Sequence, residues 1–289
     1  MGAPRFMFQL FREAPRKGQL LRSLALGNKG GDRTVTSSDG TSLAVRKTGD
    51  GAPMVLVHGT LDGIGAFSLV ELQLAERYAV WIYDRRGRGG SGDTGDYALD
   101  REVEDLRAVV AAVGAVPHVV AHSFGAVIAL EARAAGVEMR SLVVYEPPIN
   151  ADAIPASQIN NIRHAVEEGR ADDAVEMMAR DLAGITDKEL AIAMAVPPVR
   201  KRLREGVRTA PRELEALRAC SWADLRLTDV PTLVVRGERD GSAAYPSTEQ
   251  ASGIATDAEI VSLSGQGHLG HIFAPTAFTE AVRNFLDRN

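Results

Sequence analysis

A single cysteine, Cys220, stands in a chain of 289 residues. One thiol cannot close an intrachain disulfide, and Cys-rich metal sites are excluded with it. This usage fits a reducing cytoplasm, which is the expected location. No segment reaches the roughly 18 consecutive apolar residues that a transmembrane helix needs. Charge of one sign is also lacking: the net charge is −5, which gives no hint of nucleic-acid binding. No internal repeat or low-complexity tract is visible, and no His/Asp/Glu cluster has metal-ligand spacing. GRGGSG (87–92) is not a dinucleotide fingerprint, because no helix with a downstream ribose-binding acid follows it at the right distance. No cofactor or metal is therefore expected. The expected partner is a small molecule, with no nucleic acid and no stable membrane span; the oligomeric state stays open.

What is present is ordinary for a globular protein: 45% hydrophobic and 25% charged residues, enough chain to bury a substantial core. Charge is unevenly placed. Residues 1–33 carry Arg5, Arg12, Arg16, Lys17, Arg22, Lys29 and Arg33 against Glu13 and Asp32, a net of +5, so the remainder is near −10. Phe6, Leu10, Leu20 and Leu24 recur there at roughly helical spacing. No continuous apolar core and no small-residue cleavage site make a signal peptide, so the segment reads as a basic amphipathic extension.

From residue 34 the pattern alternates. RTVTSS and SLAVRKT flank a Ser-Asp-Gly turn and read as an antiparallel hairpin. PMVLVHG (53–59), YAVWIYD (78–84), HVVAH (118–122), SLVVYE (141–146) and TLVVRG (232–237) are short apolar runs, as expected of strands buried on both faces; EIVSLSG (259–265) is the last. DREVEDLRAVVAAVG (100–114) reads as a helix capped by Asp100 and ended by Gly114, and FTEAVRNFLD (278–287) as a closing helix. Strands alternating with helices predict an α/β fold, a mostly parallel sheet with helices on both faces and its site at the strands' carboxyl ends. Residues 147–228 break the rhythm with helical periodicity alone. The division is then an extension (1–33), a core (34–146 and 229–289) and a helical cap or lid (147–228).

Within VVAHSFGAVIAL, Ser123 sits between the end of a strand and the start of a helix. A sharp turn there exposes a hydroxyl and aims the next backbone N–H, that of Phe124, at the same point. Small residues two before and two after, Ala121 and Gly125, relieve the crowding of such a turn; the usual first position is Gly. A serine needs a base, and His268 follows the last strand; the base needs an orienting acid, and Asp240 follows a buried strand. A second donor to a developing oxyanion is the Thr60 N–H, after the Gly59 turn. His58 reads as a packing residue, His118 and His164 as surface, and His271 as lining the site or surface. His122 is expected to point away. Arg85, Arg86 and Arg88 read as a solvated loop pairing with Asp84 or Asp93.

HGT (58–60), YDRRGRGGSGD (83–93), AHSFGA (121–126), GERD (237–240) and GQGH (265–268) together resemble the α/β-hydrolase superfamily, over about residues 34–288. The chain is similar to actinobacterial α/β-fold hydrolases of undefined substrate. The resemblance implies an eight-stranded sheet with a cap after strand six. It implies a serine hydrolase acting on a carboxylic ester, lactone or related acyl bond, with Ser123, His268 and Asp240 as triad. It also offers Glu146, after strand six, as an alternative acid; a Glu146 not so used would pair with Arg85 or Arg86. The branches that open epoxides or remove halogens would demand Asp at position 123. Hydrolysis of a carbon–carbon bond in a diketone-like compound, or a non-catalytic small-molecule binder, are the alternatives on the same fold.

Overall fold

The computed structural model describes residues 30–150, 154–220, 230–239, 253 and 257–289. The basic extension up to residue 29 and Asp240 lie outside the described residues. The apolar runs form one eight-stranded sheet: β1 (Arg33–Thr36), β2 (Ser42–Thr48), β3 (Ala52–Val57), β4 (Tyr78–Tyr83), β5 (His118–His122), β6 (Ser141–Tyr145), β7 (Thr232–Gly237) and β8 (Glu259–Leu263). Their order is β1-β2-β4-β3-β5-β6-β7-β8. β1 and β2 pair antiparallel, as does β2 with β4, and every pairing from β3 onward is parallel.

Both faces are buried because alternate residues of each parallel strand feed different cores. Val55, Val57, Val119, Ala121, Leu142 and Val144 pack on one side against α2 (Leu99–Val113) and α3 (Phe124–Ala134). Met54, Leu56, Val80, Val120, Val143 and Val235 face the other side, where α1 (Ser68–Leu74) and α10 (Pro275–Leu286) lie. A short helix, α9 (Gly270–Phe273), precedes α10. Each of these valine, leucine and methionine side chains contributes about 1.5–3 kcal/mol when fully buried. The start of α2 differs from expectation. Ala98, with extended backbone, is the N-cap, and Asp100 lies inside the first turn, where its charge meets the positive helix end. Gly114, at φ +77°, closes the helix in the left-handed conformation as expected.

Between β6 and β7 the chain forms a helical block: α4 (Ala156–Glu167), α5 (Ala171–Met177), α6 (Asp187–Ala195), α7 (Pro197–Gly206) and α8 (Ala210–Ala219). Gly169, at φ +73°, turns α4 into α5. Ile159, Ile162, Val175, Met178, Leu214 and Leu217 join the core on the α2–α3 side, so the block is packed onto the sheet rather than hung from it. No helix among the described residues is long and apolar enough to cross a membrane.

Candidate active site

Parallel strands in register end at one edge, and Ser123, Glu146 and the turn at Gly59 follow directly from β5, β6 and β3. Ser123 has φ +53° and ψ −126°, a conformation that costs a non-glycine residue about 1–3 kcal/mol. Neighbours hold it there. Its N–H donates to the Tyr145 carbonyl at 2.9 Å, and its carbonyl accepts from Ala126 N–H at 2.8 Å. Gly125 has a steric reason: a Cβ there would stand 2.5 Å from the carbonyl oxygens of Val57 and His58. A Cβ on Gly59 would come within 2.9 Å of the Ser123 Cβ. Ala121, the departure from the usual glycine, is fully buried and pairs with Val57 and Val144.

Ser123, His268, Thr60 and Phe124 line one cavity. Its remaining wall is mostly apolar and comes largely from the helical block, including Val175, Met178, Leu182, Leu190, Leu214 and Leu217. Phe124 opens α3, so its amide has no carbonyl one turn earlier to bind. Two charged residues also reach this cavity: Asp62, after the Thr60 turn, and Arg202 of α7, whose Nε donates to Asp62 Oδ1 at 3.1 Å. Burial raises the Asp62 carboxyl above its ordinary range, against the pull of Arg202. This pair was not found by sequence reasoning; its partners lie 140 residues apart.

His268 Nδ1 lies 3.6 Å from Glu146 Oε2. Glu146 Oε1 accepts from the Gly237 N–H at 2.7 Å, and the residue itself sits at φ +50° at the end of β6. Arg85 and Arg86 are not its partners: Arg85 pairs with Glu102 at 2.6 Å, and Arg86 with Asp105 at 2.7 Å and Asp39 at 3.0 Å. These arginines and Arg88 are buried, in contrast to the expected solvated loop. Arg88 pairs with Glu213 of α8 at 2.5 Å; Asp84 instead accepts from Ile64 and Gly90 N–H, and Asp93 pairs with Arg212. The end of β7 is tied to the His268 loop: Arg239 N–H donates to the Gln266 carbonyl at 2.9 Å, and a Cβ on Gly237 would meet Gly267 Cα at 2.6 Å.

The other histidines fall in varied places. His58 Nε2 accepts from Arg85 N–H at 3.1 Å, so its Nδ1 carries the proton and donates to the Gly59 carbonyl at 2.9 Å. Burial, then the Arg85 charge, hold its pKa well below 6.5. His122 turns toward Tyr145 and His271, as alternation demands, yet its ring also reaches the cavity and lies 4.5 Å from that of His268, the two planes tilted by 42°. Its Nε2–H donates to the His268 carbonyl at 2.9 Å, fixing the loop. His118 is buried against Ser141 Oγ at 2.8 Å, not at the surface; His164 is exposed, and His271 is fully buried.

Residues 54–281 match the alpha/beta hydrolase family. The chain is 30% identical to a non-heme haloperoxidase of Rhodococcus erythropolis over 254 residues, covering 81% of this chain and 92% of that protein. It is 28% identical to a pimeloyl-[acyl-carrier protein] methyl ester esterase of Stenotrophomonas maltophilia, covering 79% and 92% respectively. Among solved structures, an alpha/beta hydrolase from Sphaerobacter thermophilus superposes with a TM-score of 0.75 at 30% identity, over 88% of this chain and all of that one. With sheet order, elbow and family match in agreement, the chain belongs to the alpha/beta hydrolase family.

Proposed function

We propose that this protein is a serine hydrolase that cleaves a carboxylic ester, lactone or related acyl bond through an acyl-enzyme. The observation that carries the reading is the strained Ser123 turn opening into the cavity that His268 also lines. In this mechanism Ser123 Oγ attacks the substrate carbonyl and gives its proton to His268 Nε2. The Thr60 and Phe124 N–H groups stabilise the oxyanion. His268 then protonates the leaving group, and water, activated by the same imidazole, releases the acid. Glu146 is read as the carboxylate that orients His268, on its 3.6 Å contact with Nδ1. That distance is longer than a hydrogen bond, and such contacts tighten when substrate fills the site. The resemblance favours Asp240 for the same task.

The helical block acts as the lid, and its apolar lining suits a substrate with a hydrophobic acyl or alcohol part. The relative described as a methyl ester esterase supports chemistry at an acyl carbon. The test is labelling by a fluorophosphonate probe together with turnover of a panel of short p-nitrophenyl esters, lactones and diketones. Ser123→Ala should abolish labelling and turnover. Retention of both would refute the nucleophile. Glu146→Gln and Asp240→Asn divide the acid: the larger loss of kcat marks the residue that orients His268. Preferential turnover of the diketones would assign carbon–carbon bond cleavage by the same residues.

A further inference from the structure

We propose that Glu213 and Gly206, both from the helical block, are positioning residues that set the oxyanion loop at Thr60–Leu61. The inference rests on the serine hydrolase reading and adds to it a dependence on the lid. Glu213 lies on α8, almost wholly buried. Its Oε2 accepts from Thr60 Oγ1 at 2.9 Å. Its Oε1 accepts from Arg88 Nη2 at 2.5 Å and from Thr209 Oγ1 at 2.8 Å, and Arg85 Nη2 stands 3.4 Å from Oε2. Burial would raise this carboxyl, but Arg85, Arg88 and the two hydroxyls outweigh it and hold it below its ordinary value. An ionised carboxylate only accepts, so the Thr60 hydroxyl must donate to it, which fixes that side chain.

The loop needs such an anchor. Thr60 lies between Gly59 and Leu61, which holds φ +68°, and it leaves the β3 ladder at Val57. Gly206, the last residue of α7, supplies the second contact. A Cβ there would stand 2.5 Å from the Leu61 carbonyl oxygen and 2.7 Å from its Cα, so only glycine lets the block sit this close. Arg88 Nη1 donates to the Gly206 carbonyl, so one buried arginine binds both positioning residues. Thr60 thus meets the sheet through its backbone and the lid through its side chain. A lid seated in this way delivers a correctly aimed Thr60 N–H; a displaced lid does not.

Thr60→Val is the primary test, because it keeps the N–H and removes only the hydroxyl. The rate of Ser123 labelling by a fluorophosphonate, which builds negative charge on the same oxygen, is expected to fall about 10- to 100-fold, short of the loss from deleting a donor outright. With an ester substrate, kcat should fall by a similar factor while KM holds, and Thr60→Ser should restore both rates. Glu213→Gln also disturbs Arg88 and Thr209, so it should slow labelling at least as much, and the double variant should be no slower than Glu213→Gln alone, since the Thr60 hydroxyl acts through that carboxylate. Thermal melting of each variant separates slowed chemistry from unfolding. Wild-type labelling by Thr60→Val, or additive losses in the double variant, would overturn the proposal. Failure of the wild-type protein to label at Ser123 would instead overturn the hydrolase reading itself.

Discussion

Replacing His271 by leucine should stabilise the fold, and more so in acid than at neutral pH. His271 sits on α9 with its ring 5.2 Å from Phe67, 4.3 Å from His122 and 6.2 Å from Phe278. Among the described residues neither of its ring nitrogens has a hydrogen-bond partner. Burial first, then the charges of His268 and Arg202, bring its pKa from 6.5 down to about 3. The unfolded chain takes up a proton near pH 6.5, whereas the folded protein refuses it until about pH 3. Protonation therefore favours the unfolded state: the stability is intact above pH 6.5 and drains as pH falls toward 3. At pH 5 the gap of about 1.5 pH units, at 1.36 kcal/mol each, amounts to about 2 kcal/mol; at pH 7.5 it is about 0.1 kcal/mol. Leucine cannot titrate, so it removes this loss. It also removes a buried unsatisfied polar group, worth about 1–3 kcal/mol at any pH, against a repacking cost below about 1.5 kcal/mol. Urea unfolding of both proteins at pH 7.5 and pH 5 reads the two parts separately. The stabilisation at pH 5 should exceed that at pH 7.5 by about 2 kcal/mol. An equal effect at both values would show that the ring is not held neutral, and destabilisation at both would show that its nitrogens are bonded after all.

Gly125→Ala should destabilise the fold by about 1–3 kcal/mol, because the added methyl meets two backbone carbonyls that cannot rotate aside, and Ser123 labelling should drop with it. Ala121→Gly, which restores the usual residue of the turn, should cost only about 0.5–1 kcal/mol and leave labelling intact; a larger effect on chemistry would mean that the Ala121 methyl shapes the elbow. Cys220 should resist thiol reagents. Burial, followed by Glu131 and Asp100, pushes its pKa to about 11, so at pH 8 its thiolate population falls roughly two orders of magnitude below that of a free cysteine. Reaction with a disulfide reagent at the free-thiol rate would contradict that environment.

Much of the fold could be read from the sequence because burial leaves a local signature. The central strands are buried on both faces, so they appear as continuous apolar runs, and the hairpin turn announces itself by Ser-Asp-Gly with Gly40 at φ +87°. Among the described residues, the five α-helices between β6 and β7 show as periodicity without strand-like runs. The start of α2 was misplaced because Asp100 satisfies a capping pattern that its position in the first turn also satisfies: an acidic residue is favourable at either place.

At the site, local spacing carried the serine turn but not its support. Arg85, Arg86 and Arg88 sit in a glycine-rich stretch whose nearest acids, Asp84 and Asp93, were the natural partners on sequence distance alone. Their actual partners are Glu102 and Asp105, on the helix that returns across the sheet, and Glu213, 125 residues beyond Arg88. Buried ion pairs of this kind are chosen by which elements close over the charge, since an unpaired guanidinium there would be prohibitively costly to desolvate. His118 follows the same logic on a smaller scale: its partner Ser141 is its register neighbour on β6, visible only once the strands are paired. Thr60 is the sharpest instance. Its amide could be inferred from the turn after β3, because that geometry is local. Its hydroxyl answers to a carboxylate 153 residues away on α8, a contact that exists only when the helices between β6 and β7 are packed against the turn that follows β3.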